Sequence, residues 1–128
     1  MNKSDFQALA LERLADAQAL LAAGRFGAAY YLTGYVVECS LKACIAKRTN
    51  QHDFPPRDAH KLYSHDLEDL ARRAGLESEL KSLGVLWEIV KDWSEDSRYE
   101  TQEENRAVEM LAAVGDPSGV FECIRRFW

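Results

Sequence analysis

In the run YVVECSLKACIAK, residues 35–47, Glu38 and Lys42 stand four positions apart among apolar neighbours. On a helix that spacing puts a carboxylate and an ammonium on one face, in the order that favours pairing. Desolvating two charges costs several kcal/mol, and a single ion pair offsets this only when further hydrogen bonds surround it. The pair therefore predicts additional partners. Those available are the phenols of Tyr31 and Tyr35 and, from later segments, His65 or Arg98. A pocket admitting an anionic ligand meets the same need, so Glu38, Lys42, His65, Arg98, Tyr31 and Tyr35 form the expected ligand-binding group. The blander alternative is that His65 simply satisfies a carboxylate such as Glu38.

Charge along the chain points to the same region. The net charge is −5, which argues against a broad, unspecific nucleic-acid binder, because such affinity rests on many Lys and Arg contacts to phosphates. Residues 42–65 nevertheless carry +3, while the remainder carries −8, and His52, His60 and His65 all fall in that window. An anion would meet the chain there first, although a solvated loop has the same composition. Zinc is not expected, because Cys39 and Cys44 point about 140° apart on a helix and no C-x2-C or His-x3-His pairing occurs. Phosphate-cradling glycine loops, a nucleophile elbow and the Glu-x-x-His of di-iron bundles are missing as well. No cofactor is expected.

The elements that must hold these groups are helical throughout. Ser4 and Gln7 have capping-box spacing, Gly24 suits a helix end, and Phe6, Leu9, Ala10, Ala17, Leu20 and Leu21 form a stripe between them. A second helix runs from Arg25 to about Thr49, with Gly27 and Gly34 tolerable if it packs closely on a neighbour. Arg25, Ala29, Val36, Ser40, Ala43 and Lys47 make its only plausible solvent face, and Glu38 points away from them. The Pro55-Pro56 pair interrupts the chain before a short helix from Ser64 to Gly75. Leu80, Leu83, Trp87, Val90 and Trp93 mark a fourth helix, followed by the polar turn SEDSRYE. Thr101 and Glu104 suggest a capping box for a fifth, running through Val108, Leu111 and Ala112. Asp116 and Pro117 then start or kink a last segment whose apolar face is Val120, Phe121, Ile124, Phe127 and Trp128. The expectation is one all-α domain over residues 1–128, an antiparallel up-and-down bundle of four-helix type with short additional helices. The odd number of cysteines in apolar runs suits reduced buried thiols. With no span of about 18 apolar residues and no signal peptide, the expected location is cytoplasmic and away from any membrane.

The run AAYYLTGYVVECSLKACIAK, followed by SHDLEDLARRAG, resembles the HEPN domain family. In that family an alanine- and aromatic-rich helix carries a Glu and then Leu-Lys-Ala, and the next helix opens with His and Leu. The matching positions are Glu38, Leu41-Lys42-Ala43, His65 and Leu67, and Arg98-Tyr99 looks like the Arg-Tyr that often follows the next long helix. The resemblance spans residues 3–100. It implies a helical bundle that commonly dimerises and binds a nucleotide, RNA or a nucleotidyltransferase-type protein partner, in a toxin–antitoxin or defence context. It also implies, as an alternative, a metal-independent ribonuclease with an Arg followed a few residues later by a His, in which Arg98 or Arg48 with His65 or His52 would supply the general base, general acid and cation that the chemistry needs. That motif is not clearly present: Arg98 has no following His, and His52 follows Arg48 by four positions but lies outside the helices. The reading is a homodimeric, non-catalytic binding module. The rivals are the ribonuclease and a purely structural interaction protein using Leu11 and Leu14 at the edge of the first stripe.

Overall fold

Leu20 to Arg25 form the sharp corner from which the architecture builds. Gly24 adopts φ 76°, a left-handed conformation that glycine takes without steric cost, and Arg25 N donates to Leu20 O. The computed structural model describes residues 1–48 and 64–128. Among them are α1 (Lys3–Ala22), α2 (Phe26–Arg48), α3 (Leu67–Ala74), α4 (Glu77–Lys81), α5 (Val85–Lys91), α6 (Glu104–Gly115) and α7 (Val120–Arg125). A 3-10 helix covers Glu95–Tyr99, and the described residues contain no strand. The fold is all-α.

α2 is the axis of the molecule. α1 folds back on it from the Gly24 corner, and α3, α6, α7 and the 3-10 helix pack around the remaining sides. The α4–α5 rod runs against α2, since Trp93 meets Gly34 while Glu79 lies beside Lys47 and Arg48. The α6–α7 rod returns along it, with Arg106 at Tyr30 and Ile124 at Cys44. α3 departs from the alternation and runs the same way as α2. His65, just before its start, meets Glu38, and Arg73 at its end meets Arg48. One continuous cluster of buried side chains joins all seven helices, including Leu41, Leu70, Leu80, Trp87, Met110 and Ile124. No described helix is long and apolar enough to cross a membrane.

The expected solvent face of α2 is not one. Ala29, Val36, Ser40 and Ala43 are all buried, because neighbours surround the helix on every side. Burial of its hydroxyls is made tolerable within the helix itself: Thr33 Oγ1 donates to Ala29 O and Ser40 Oγ to Val36 O, both at 2.7 Å. Exposure is confined to the ends, at Arg25 and Ala28 and at Lys47 and Arg48.

Several boundaries also differ from expectation. α1 is capped by Asn2, whose side chain accepts from Asp5 N while the Asp5 carboxylate accepts from Asn2 N, so the capping box begins two residues before Ser4. The expected fourth helix is two, because Gly84 at φ 63° breaks the ladder between Lys81 and Val85. Thr101 forms no cap for α6, whose N-cap is Glu103 with no side-chain bond. Ala107, Met110, Ala113 and Val114 face inward there, leaving Val108 and Ala112 exposed. Asp116 Oδ1 accepts from Ser118 N in a local turn, and α7 starts after Gly119. Phe127, expected on the inner face, is exposed.

Candidate functional site

Glu38 is 3% exposed and Lys42 6%, so two ionisable groups lie in the wall of the core. Lys42 Nζ is 3.1 Å from Glu38 Oε2. Glu38 Oε1 is 2.9 Å from His65 Nδ1, and His65 Nε2 is 3.1 Å from Glu95 Oε2. The result is a linear array, Lys42–Glu38–His65–Glu95, leading from the interior to the surface. Its outer members are open to water, with side chains 42% exposed at His65 and 37% at Glu95.

Local structure explains how His65 reaches Glu38. Asp66 caps α3 by accepting from Glu68 N and Asp69 N, while Leu67 and Leu70 are buried against the core, which sets the entry of the chain into that helix. Ser64 Oγ accepts from Asp66 N and tightens the turn around the histidine. Glu95 is delivered by the 3-10 helix, whose N-cap Ser94 accepts from Asp96 N. Each Glu38 oxygen thereby has one charge-capable donor, the condition under which a buried carboxylate is stable.

Beside the array a groove of about 480 Å³ opens between the start of α3 and the end of α5. Asp66, Glu68, Asp92 and Glu95 line it together with His65 and Lys91, and Trp93 forms part of its wall. Carboxylates therefore dominate the rim.

Of the residues expected to act together, the structure unites Glu38, Lys42 and His65. Tyr31 and Tyr35 are not the donors that satisfy the carboxylate. Their rings stack on each other at 6.3 Å, and Tyr31 also packs on Trp93 at 5.8 Å. The Tyr35 hydroxyl pairs with Cys39, and burial pushes its phenol above the usual range. Arg98 is exposed, lies 4.8 Å from the centroid of the Tyr99 ring and interacts with the Tyr31 hydroxyl. It belongs to the aromatic group and not to the Glu38 array. Arg48 Nη1 reaches Arg73 O at 3.4 Å and lies against Gly75, where it serves the open carbonyl end of α3. His52 lies outside the described residues.

Sequence reasoning missed Glu95, which sits in the stretch read as a polar turn. A cap-competent Ser94 followed by two acids was the available signal, but the 3-10 geometry that aims Glu95 at His65 has no sequence mark. Gly34 is the clearer case: a Cβ there would lie 2.2 Å from Trp93 Nε1, so the glycine is what lets the indole lie on α2. Cys39, Cys44 and Cys123 are buried and unbridged, and burial raises the Cys39 and Cys44 thiols to about 12 and about 11. Among the described residues no group of three or more His, Cys, Asp or Glu is placed to hold a metal ion. Compared with protein-family models, with curated proteins and with solved structures, the chain matches none.

Proposed function

We propose that this chain is a non-catalytic helical interaction module of the HEPN kind, acting as a homodimer that engages a nucleotidyltransferase-type protein partner in a toxin–antitoxin or defence setting. The observation that carries the reading is the mutual commitment of Lys42, Glu38, His65 and Glu95. Both ring nitrogens of His65 are occupied by carboxylates of the same chain, so the residue best placed for acid–base work is used as an internal strut. Arg98 stands with Tyr99 and Tyr31 rather than beside that histidine.

Between a protein and a phosphate ligand at this groove, the acidic rim favours the protein. Asp66, Glu68, Asp92 and Glu95 repel an anion more than Lys91 and His65 attract it, whereas basic side chains of a partner meet opposite charge. A nucleotide or short RNA would have to be met elsewhere on the surface. Of the two residues expected at a dimer face, Leu11 is exposed on α1 and Leu14 packs against the core, so self-association rests on the HEPN resemblance.

Purified protein incubated with labelled RNA should leave it intact. Gel filtration with the product of a neighbouring reading frame should give a complex in which that product is a nucleotidyltransferase. RNA cleavage abolished by His65→Ala would overturn the non-catalytic reading, and failure of the two proteins to associate would overturn the partner.

A further inference from the structure

We propose that His65 is the pin of a proton-dependent clasp that fastens the 3-10 helix Glu95–Tyr99, and with it Arg98 and Tyr99, to the core. An imidazole carrying both protons donates from each ring nitrogen; a neutral one has a single N–H. Here both nitrogens face carboxylates, Glu38 on one side and Glu95 on the other. Nδ1 is hydrogen-bonded to Glu38 and Nε2 makes a 3.1 Å ion contact with Glu95, so both contacts are attractive only while the ring holds both protons.

The two carboxylates differ in what losing the link would cost them. Glu38 is sealed in the core and cannot turn to water, so the remaining proton stays on Nδ1. Glu95 is partly exposed and can be hydrated, which makes the Nε2–Glu95 link the one that opens. The charged groups facing His65 are Glu38 and Lys42 on α2, Glu95 on the 3-10 helix, Lys91 and Asp92 at the end of α5, and Asp66 and Glu68 beside it.

Besides this clasp the segment is held by its packing on α2, where Arg98 meets the Tyr31 hydroxyl and Ser97 is buried. Among the described residues, the buried Ser97 hydroxyl and the buried Trp93 indole N–H, which flank Glu95 in sequence, have no hydrogen-bond partner. A buried polar group without a partner is costly, and a short 3-10 turn has few bonds of its own. Its backbone bonds include Ser97 N to Ser94 O and Glu100 N to Ser97 O, so these two amides report its opening. Protonation of His65 thus adds its hold on Glu95 to the Arg98–Tyr31 contact in fixing how Arg98 and Tyr99 are presented. The device stands on this geometry whatever the identity of the partner.

Hydrogen exchange at the Ser97 and Glu100 amides, corrected for intrinsic rates, would be followed from about pH 5 to about pH 9, together with the ring nitrogen shifts of His65. Protection in the unaltered protein should fall about three- to tenfold as the ring loses its proton. In Glu95→Gln the protection should be low and independent of that proton, while core amides such as Leu41 stay protected. His65→Gln, which keeps a donor for Glu38, should likewise abolish the pH response. A ring that never carries both protons, a segment whose protection ignores the ring's state, or a Glu95→Gln variant with an undiminished response would each overturn the clasp.

Discussion

His65 Nδ1 lies 2.9 Å from Glu38 Oε1, although 27 positions separate them in sequence. That contact joins the entry of α3 to the middle of α2 and closes the charge array around a buried carboxylate. Its consequences reach beyond the groove, because the same carboxylate balances Lys42 in the core wall.

Removing the negative charge at this point should be costly. Glu38→Gln keeps the shape but leaves the Lys42 ammonium buried without its counter-ion, a loss of about 2 to 4 kcal/mol. Urea unfolding at neutral pH should show the drop. Combining it with Lys42→Met should recover part of the loss, since the stranded charge is gone. A midpoint that does not move in Glu38→Gln would contradict an interior network here.

Gly34 and Trp93 form a second fitted pair. Gly34→Ala forces a methyl group into the indole, and the ring is buried and too rigid to yield at its edge. The expected cost is about 2 kcal/mol, from displacement of the ring and repacking around Tyr31. Gly27→Ala, whose Cβ would lie 3.1 Å from Glu100 O and at ordinary contact distance from Gln102 N and Thr101 Cα, should be the milder change. Comparing both midpoints with the near-ultraviolet circular dichroism of the tryptophans tests the assignment; equal effects would refute it.

The three thiols should be silent in the folded protein. Cys39, Cys44 and Cys123 are buried, and burial raises the first two to about 12 and about 11, so little thiolate exists near neutrality. Titration with a thiol reagent at pH 8 should find no rapidly reacting group before denaturant is added and three afterwards. One fast thiol in the native state would show that a helix is less firmly packed than described.

Asp69 sets a pH dependence whose sign can be worked out. Burial pushes its carboxyl up, but hydrogen bonds from Arg73 and Ser64 and the charge of Arg73 and Arg72 outweigh this and hold it below the usual range. Its folded value therefore lies below its unfolded one. The stabilisation is present above the unfolded value, at about pH 4 and higher, and is lost as the pH falls through the folded value. Asp69→Asn should cost less than about 1 kcal/mol at pH 7, because the pair is partly exposed, and the difference from the unaltered protein should vanish towards pH 2. A difference that persists in acid would assign the effect to packing instead.

Much of this structure is legible in local pattern. Gly24 and Gly75 read as helix ends, and both sit in left-handed conformations at the ends of α1 and α3. The apolar surroundings of Glu38 and Lys42, four residues apart, read as an inward pair needing outside help, and the help arrives from His65 as one of the named possibilities. These features are legible because helical periodicity and glycine stereochemistry act over a few residues. The capping box at Ser4 and the face of α6 were misread for the same reason in reverse: several registers satisfied the same short pattern, and packing chose among them.

The amino-acid order alone determined that this protein is helical, where its two long rods lie to within a turn, and that a carboxylate and an ammonium share the inner side of the second. Tertiary structure decided which distant groups complete them. It selected His65 over Tyr31, Tyr35 and Arg98, brought Glu95 to the second ring nitrogen, and buried the least apolar side of α2 along with the rest. The physical reason is range. A helix's own periodicity fixes which side chains share a face, but what covers that face depends on contacts between segments far apart in the chain, and these exist only once the whole core has closed.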